Sequence, residues 1–281
     1  MSEPVHHGDP EETVIRRGSV DVGGGITLAY EDLGDIDQPP VVLIMGFASQ
    51  LTAWPVELCR MIAGDGFRVI RFDNRDIGLS SKLDGMRVEG STLVRMARYW
   101  LGLPSVAPYT LGDMASDTVG LLDALGLESA HIVGASMGGM IAQIIAAEYP
   151  ERVRSLGIMF STTAQRFLRP PRLKALRALT DSPGKNPTRD QVISAVVESI
   201  KVVASPKYPE PEHTVRQRIA AAYDRNYCPA GVLRQFAAGT SSGSMVRYAR
   251  RITAPTVVLH GMADPLMPLA AGKALARNIT G

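Results

Sequence analysis

Five short apolar runs constrain this 281-residue chain more than any other feature. They are "PPVVLIMG" (39–46), "FRVIRFD" (67–73), "SAHIVGA" (129–135), "VRSLGIMFS" (153–161) and "PTVVLHG" (255–261). The first of them is continuously apolar rather than alternating. A strand reads that way when both of its faces are covered, as in a parallel sheet packed between helices. Helical patterns fill the intervals, over 53–64, 111–125 and 137–148, and a last one lies in "LAAGKALARNI". Alternation of this kind predicts an α/β protein with a mostly parallel sheet.

Ahead of these runs, "TVIRRGSVDV" and "ITLAYEDLG" flank Gly23-Gly24-Gly25, which predicts an antiparallel pair turned by glycine. A phosphate loop is excluded, because no Lys-Ser/Thr follows and no helix opens there. From about 164 to 250 the alternation stops. Helical periodicity continues, broken by "RPPR", "SPGKNPT", "SPKYPEPE" and "CPAG". The organisation expected is a discontinuous core, 1–163 with 229–281, carrying a helical cap over 164–228.

Composition removes several function classes. Thirty basic against 28 acidic residues leave a net charge of +2, which calls for neither nucleic acid nor an anionic membrane. Cys59 and Cys228 stand in no metal-ligand spacing, so no metal is expected, and no cofactor is implied. The start "MSEPVHHGDPEE" has no basic and apolar leader pattern, and no apolar run approaches the roughly 20 residues of a membrane span. A cytoplasmic protein with reduced thiols is the expectation.

Chemistry concentrates at Gly134-Ala135-Ser136-Met137-Gly138, a G-x-S-x-G pattern. Three fixed positions match by chance about 0.1 to 0.2 times in a chain this long, so context has to decide. The context is strand, sharp turn, helix. Such a corner strains the backbone at the serine, demands glycine two residues to either side, and leaves the hydroxyl free. The helix N-terminus behind it offers N–H groups to a developing oxyanion. Ser136 is therefore the candidate nucleophile.

With these residues in view, the chain resembles the α/β-hydrolase superfamily along its whole length. Segments such as "LIMGFASQLTAW" and "FDNRDIGLSS" are similar to the esterase branch of aclacinomycin methylesterases and bacterial lipase/esterase-like enzymes. The resemblance implies an oxyanion hole from the backbone N–H groups of Phe47 and Met137. Met45 stands where the family usually has histidine, which leaves a backbone donor intact. It makes Asp73 and Arg75 structural braces. It places the acid after the seventh strand, at Asp264 in "VVLHGMADPLMP"; the other family position, after the sixth strand, reads "FSTT" and has no carboxylate.

The family's chain order is nucleophile, acid, histidine, and residues 265–281 contain no histidine. His6 and His7 lie in a polar tail. His131 opens the strand behind the nucleophile at the wrong end of the sheet. His213 falls in the proline-rich insertion, and His260 is pinned to strand seven. The expectation is a fragment of a longer enzyme, lacking a final strand and helix, with its histidine roughly ten residues past Gly281. As it stands, the 281-residue form is expected to be inactive.

The function expected is hydrolysis of a small-molecule carboxylic ester, with Trp54, Phe160 and Met267 lining an apolar pocket under the cap. Two alternatives stay open: a hydrolase-like binding protein without catalysis, and a cofactor-free perhydrolase or carbon–carbon hydrolase. Substrate groups and oligomeric state are not encoded in any of these signals.

Overall fold

The computed structural model describes residues 14–101, 103, 105–166, 168–180 and 184–280. His6 and His7 lie outside these residues. The frame is a seven-stranded sheet in the order β1-β2-β4-β3-β5-β6-β7. Its strands are β1 (Ile15–Asp21), β2 (Thr27–Leu33), β3 (Pro40–Ile44), β4 (Arg68–Phe72), β5 (Ala130–Ala135), β6 (Val153–Met159) and β7 (Thr256–Leu259). β1 and β2 pair antiparallel, as does β2 with β4; every other pairing is parallel. The turn between β1 and β2 needs its three glycines, since Gly23, Gly24 and Gly25 all have positive φ.

β3 shows why its run is continuously apolar. Val42 and Ile44 enter one core cluster, while Val41 and Leu43 enter a second on the opposite face. Helix α1 (Val56–Gly64) contributes Cys59 to the second cluster. The first and larger cluster takes side chains from α3 (Leu111–Ala124), α4 (Met137–Glu148) and α10 (Leu269–Asn278).

One helix falls in a stretch to which periodicity assigned nothing. It is α2, Thr92–Trp100, entered from Ser91 without a side-chain cap bond. Between β6 and β7 the regular elements among the described residues are all helices: α5 (Leu173–Thr180), α6 (Arg189–Val203), α7 (Glu212–Arg225), α8 (Pro229–Ser241) and the short α9 (Val246–Ala249). α6 and α7 share a small core of Ile193, Val197 and Val215. No described helix is long and apolar enough to cross a membrane. Both cysteines are free thiols.

Candidate active site

Ser136 sits between β5 and α4 with φ 54° and ψ −117°. A side chain rarely adopts that backbone, and holding it costs about 1–3 kcal/mol unless the surroundings enforce it. They do so through glycine. A Cβ on Gly134 would overlap the Gly138 carbonyl, and one on Gly138 would overlap the Ile44 carbonyl at the end of β3. A Cβ on Gly139 would stand 2.7 Å from the Ser161 Cβ. The corner is backbone packed on backbone, which no larger residue permits.

Hydrogen bonds complete the hold. The Ser136 N–H donates to the Met159 carbonyl at 2.9 Å. Its own carbonyl accepts from the Gly139 N–H at 2.9 Å and from Ser161 Oγ at 2.7 Å. The side-chain Oγ, half-buried, has no hydrogen-bond partner among the described residues.

The loop after β3 approaches from the side. At Gly46 an added Cβ would meet the Ser136 Cβ at 3.0 Å, so glycine sets the spacing between loop and serine. Asn74 Nδ2 donates to the Met45 carbonyl at 3.1 Å, and the Ala48 N–H donates to Gln235 Oε1 at 3.0 Å. Gln235, fully buried on α8, also donates to the Arg75 carbonyl at 3.1 Å. Among the described residues, the Phe47 and Met137 N–H groups have no hydrogen-bond acceptor. Both residues flank the same cavity as Ser136.

That cavity measures about 190 Å³. Its apolar walls come from α2 through Met96, from α4 through Met140, from α8 through Phe236, and from Leu266 and Met267. Phe236 meets Phe47 edge-on, with centroids 6.1 Å apart. Tyr99 of α2 also borders it, and burial pushes its phenol up to about 12, so it stays neutral at physiological pH.

Of the three side chains expected to line a pocket, Met267 does. Trp54 is 4% exposed and packs into the α1-side core with Val41 and Leu43; Arg71 donates to its carbonyl. Phe160, with φ 37°, donates its N–H to Leu259 O and leaves its ring 38% exposed outside the lining. The residues that sequence reasoning missed are Met96, Tyr99 and Gln235. A helical pattern over 92–100 was the available signal for the first two; nothing local marks Gln235.

Asp73 and Arg75 act as braces. The buried Asp73 carboxylate accepts from the Leu51 and Leu79 N–H groups at 2.7 and 2.9 Å, and from Arg225 of α7 at 2.6 Å. Arg75 pairs with Asp117 at 2.5 Å. Asp264 follows β7, and its Oδ1 accepts from the Leu266 and Met267 N–H groups, each at 2.8 Å. The turn thus orients the carboxylate and leads directly into the cavity wall.

No described histidine bonds to Ser136. His131 pairs with Ser155 Oγ at 2.7 Å at the far end of the sheet, and His213 is exposed on α7. His260 bonds through Nε2 to the Met267 carbonyl at 2.6 Å. Its Nδ1 is buried without a partner and faces α10, where a Cβ on Gly272 would come within 2.6 Å of it.

The family model for the alpha/beta hydrolase fold matches residues 39–280. The chain belongs to that family. Among the relatives of this α/β-hydrolase, a rhodomycin D methylesterase of Streptomyces peucetius is 26% identical over 287 aligned positions, covering 91% of this chain and 85% of that protein. A rhodomycin D methylesterase of Streptomyces sp. (strain C5) is 34% identical over 134 residues, 48% of this chain and 39% of the relative. The crystal structure of an enol-lactonase from Burkholderia xenovorans LB400 shares the fold, with a TM-score of 0.68 at 21% identity over 94% of this chain and 88% of that one. The two rhodomycin D methylesterases are in keeping with the likeness of "LIMGFASQLTAW" and "FDNRDIGLSS" to the methylesterase branch.

Proposed function

We propose that the protein is a serine hydrolase that cleaves a carboxylic ester through an acyl-enzyme. The observation that carries this reading is a strained serine with a free hydroxyl, beside two backbone N–H groups that lack acceptors, at one apolar cavity. Ser136 Oγ attacks the ester carbonyl carbon. The carbonyl oxygen gains charge and accepts from the N–H groups of Phe47 and Met137, helped by the N-terminus of α4. Collapse of the tetrahedral species releases the alcohol, and water then attacks the acyl-enzyme. In this reading the base is a histidine supported by Asp264; none of the three described histidines, His131, His213 and His260, bonds to Ser136. Residues 164–228 form the cap; of them, 164–176 supply its share of the cavity wall.

The test uses protein expressed from its complete native reading frame. A fluorophosphonate should label Ser136, and Ser136→Ala should lower p-nitrophenyl ester hydrolysis by about three orders of magnitude or more. Labelling at another serine, or full activity in the alanine variant, would sink the reading.

A second reading is binding without catalysis, and one observation favours it: among the described residues, no histidine bonds to Ser136 Oγ. Ligand binding that survives Ser136→Ala, with no labelling in the native form, is its signature.

A further inference from the structure

Helix α8 reaches the loop beside Ser136, and the backbone behind it, with three consecutive side chains. Arg234 pairs with the buried Asp76 carboxylate at 2.7 Å, and Phe236 meets Phe47 edge-on with centroids 6.1 Å apart. Between them, fully buried, Gln235 uses both ends of its amide. Its Oε1 accepts from the Ala48 N–H at 3.0 Å, and its Nε2 donates to the Arg75 carbonyl at 3.1 Å. One orientation of the amide serves both partners, because a backbone N–H only donates and a carbonyl only accepts. The far anchor is firm. Arg75 pairs with Asp117 at 2.5 Å, and a Cβ on Gly231 of α8 would come within 2.2 Å of the Asp76 carbonyl.

What Gln235 holds is a strained turn. The Ser49 N–H donates to the Gly46 carbonyl at 3.4 Å, which closes a turn over residues 46–49 with Phe47 and Ala48 at its centre. Ala48 has φ 57°, whereas Phe47 does not have positive φ. That combination is the type II pattern, whose third position glycine normally fills. Alanine is strained there, and the turn can relieve the strain by rotating the 47–48 peptide toward type I geometry. Two hydrogen bonds oppose the rotation. The N–H of that peptide is held by Gln235, and its carbonyl, on Phe47, accepts from Ser49 Oγ at 3.2 Å. The first ties the turn to a distant helix; the second lies within the turn itself.

We propose that Gln235 is a positioning residue for the oxyanion site: by fixing the 47–48 peptide it aims the Phe47 N–H at the carbonyl oxygen of an ester on Ser136. The Met137 N–H needs no such help, because it belongs to the first turn of α4, behind the glycine corner. The Phe47 N–H sits on a loop, so its direction depends on contacts made to that loop from outside. Gln235 grips the centre of the turn, and Asn74 Nδ2 grips its approach through the Met45 carbonyl at 3.1 Å. The proposal rests on the ester-hydrolase reading of the same cavity, and its test is built to separate the two.

The experiment uses protein expressed from its complete native reading frame and compares the parent with Gln235→Leu and Gln235→Glu on p-nitrophenyl esters. Gln235→Leu keeps most of the bulk and removes both hydrogen bonds. Its kcat should fall about 10- to 100-fold with KM within about threefold, because a misaimed donor forfeits part of the roughly 10²- to 10³-fold that a whole oxyanion donor supplies. Fluorophosphonate labelling of Ser136 should slow by a similar factor, since the phosphoryl oxygen takes the same place. Gln235→Glu separates aiming from filling. Protonated, its carboxyl accepts from the Ala48 N–H and donates its O–H to the Arg75 carbonyl, as the amide does. Ionised, it has no donor and sets a charge against that carbonyl. Burial favours the protonated form, so its kcat, taken relative to the parent at each pH, should be near-parental at pH 6 and fall about tenfold by pH 9.

A kcat for Gln235→Leu within about twofold of the parent overturns the proposal, as does a loss that falls on KM alone, or a Gln235→Glu ratio that stays flat with pH. If Gln235→Leu does not fold, Gln235→Glu decides by that ratio alone, because it keeps the length and volume of the native side chain. The hydrolase reading is tested on the parent. A parent with neither labelling of Ser136 nor turnover removes that reading and the proposal with it. A labelled, active parent combined with any of the overturning results removes the proposal and leaves the hydrolase reading standing.

Discussion

The serine corner on the sheet and the α6–α7 helix pair are held by different forces. On the sheet side, the corner between β5 and α4 is backbone against backbone at Gly134 and Gly138, with Gly139 set against the Ser161 side chain, and none of the three leaves room for a larger residue. Helix α4 is buried along nearly its whole length. Away from the cavity, α6 and α7 rest on a core of three buried apolar residues and on charged contacts. Arg225 at the end of α7 reaches Asp73 and Gln50, while Gln50 Nε2 donates back to the Ala222 and Asn226 carbonyls at 2.6 and 2.9 Å. The sheet side therefore admits one geometry, because close-packed backbone has no rotamers to adjust. The α6–α7 pair can change its side chains and keep its attachment.

Four substitutions measure this contrast. Gly138→Ala should have the largest effect. Its Cβ would collide with the Ile44 carbonyl, and the strand end beneath cannot give way, so a loss of about 5 kcal/mol or failure to fold is expected in a denaturant melt. If the variant folds normally and Ser136 is still labelled, the sheet side is no stiffer than the α6–α7 pair. Next comes Arg234→Met, which leaves Asp76 charged and fully buried without its 2.7 Å partner; about 3–5 kcal/mol should be lost. This pair joins α8 to the segment after β4, so a small loss would place α8 with the adaptable side. Val197→Ala, inside the α6–α7 core, should cost about 2 kcal/mol. Hydrogen exchange should show that loss confined to α6 and α7, with Ser136 labelling unchanged; loss spreading into α4 would join the two sides into one cooperative unit. Smallest is Arg189→Ala, which breaks the exposed pair with Asp224 and should leave the melting transition where it was.

The strand order along the chain and the strained serine corner could be read from local pattern. Each is a short-range signal: a continuous apolar run, and glycine at two fixed offsets. What escaped was set by contacts across long separations. α2 had a helical pattern, yet its value came from Met96 and Tyr99 reaching the cavity. Trp54 stands close in sequence to the loop beside the serine, but its ring turns to the α1 face because β3 alternates its side chains between two cores. Gln235 bonds to Ala48, 187 positions away, and no periodicity reports such a partner.

By itself the sequence determined that this chain builds a parallel sheet with a glycine-flanked serine at a strand–helix corner, because those features follow from steric rules acting over a few residues. Tertiary structure alone decided which N–H groups are left without acceptors, which arginines find carboxylates, and which side chains enclose the space above Ser136. Those outcomes depend on where distant segments come to rest, and burial then enforces them by penalising every polar group that fails to find its match.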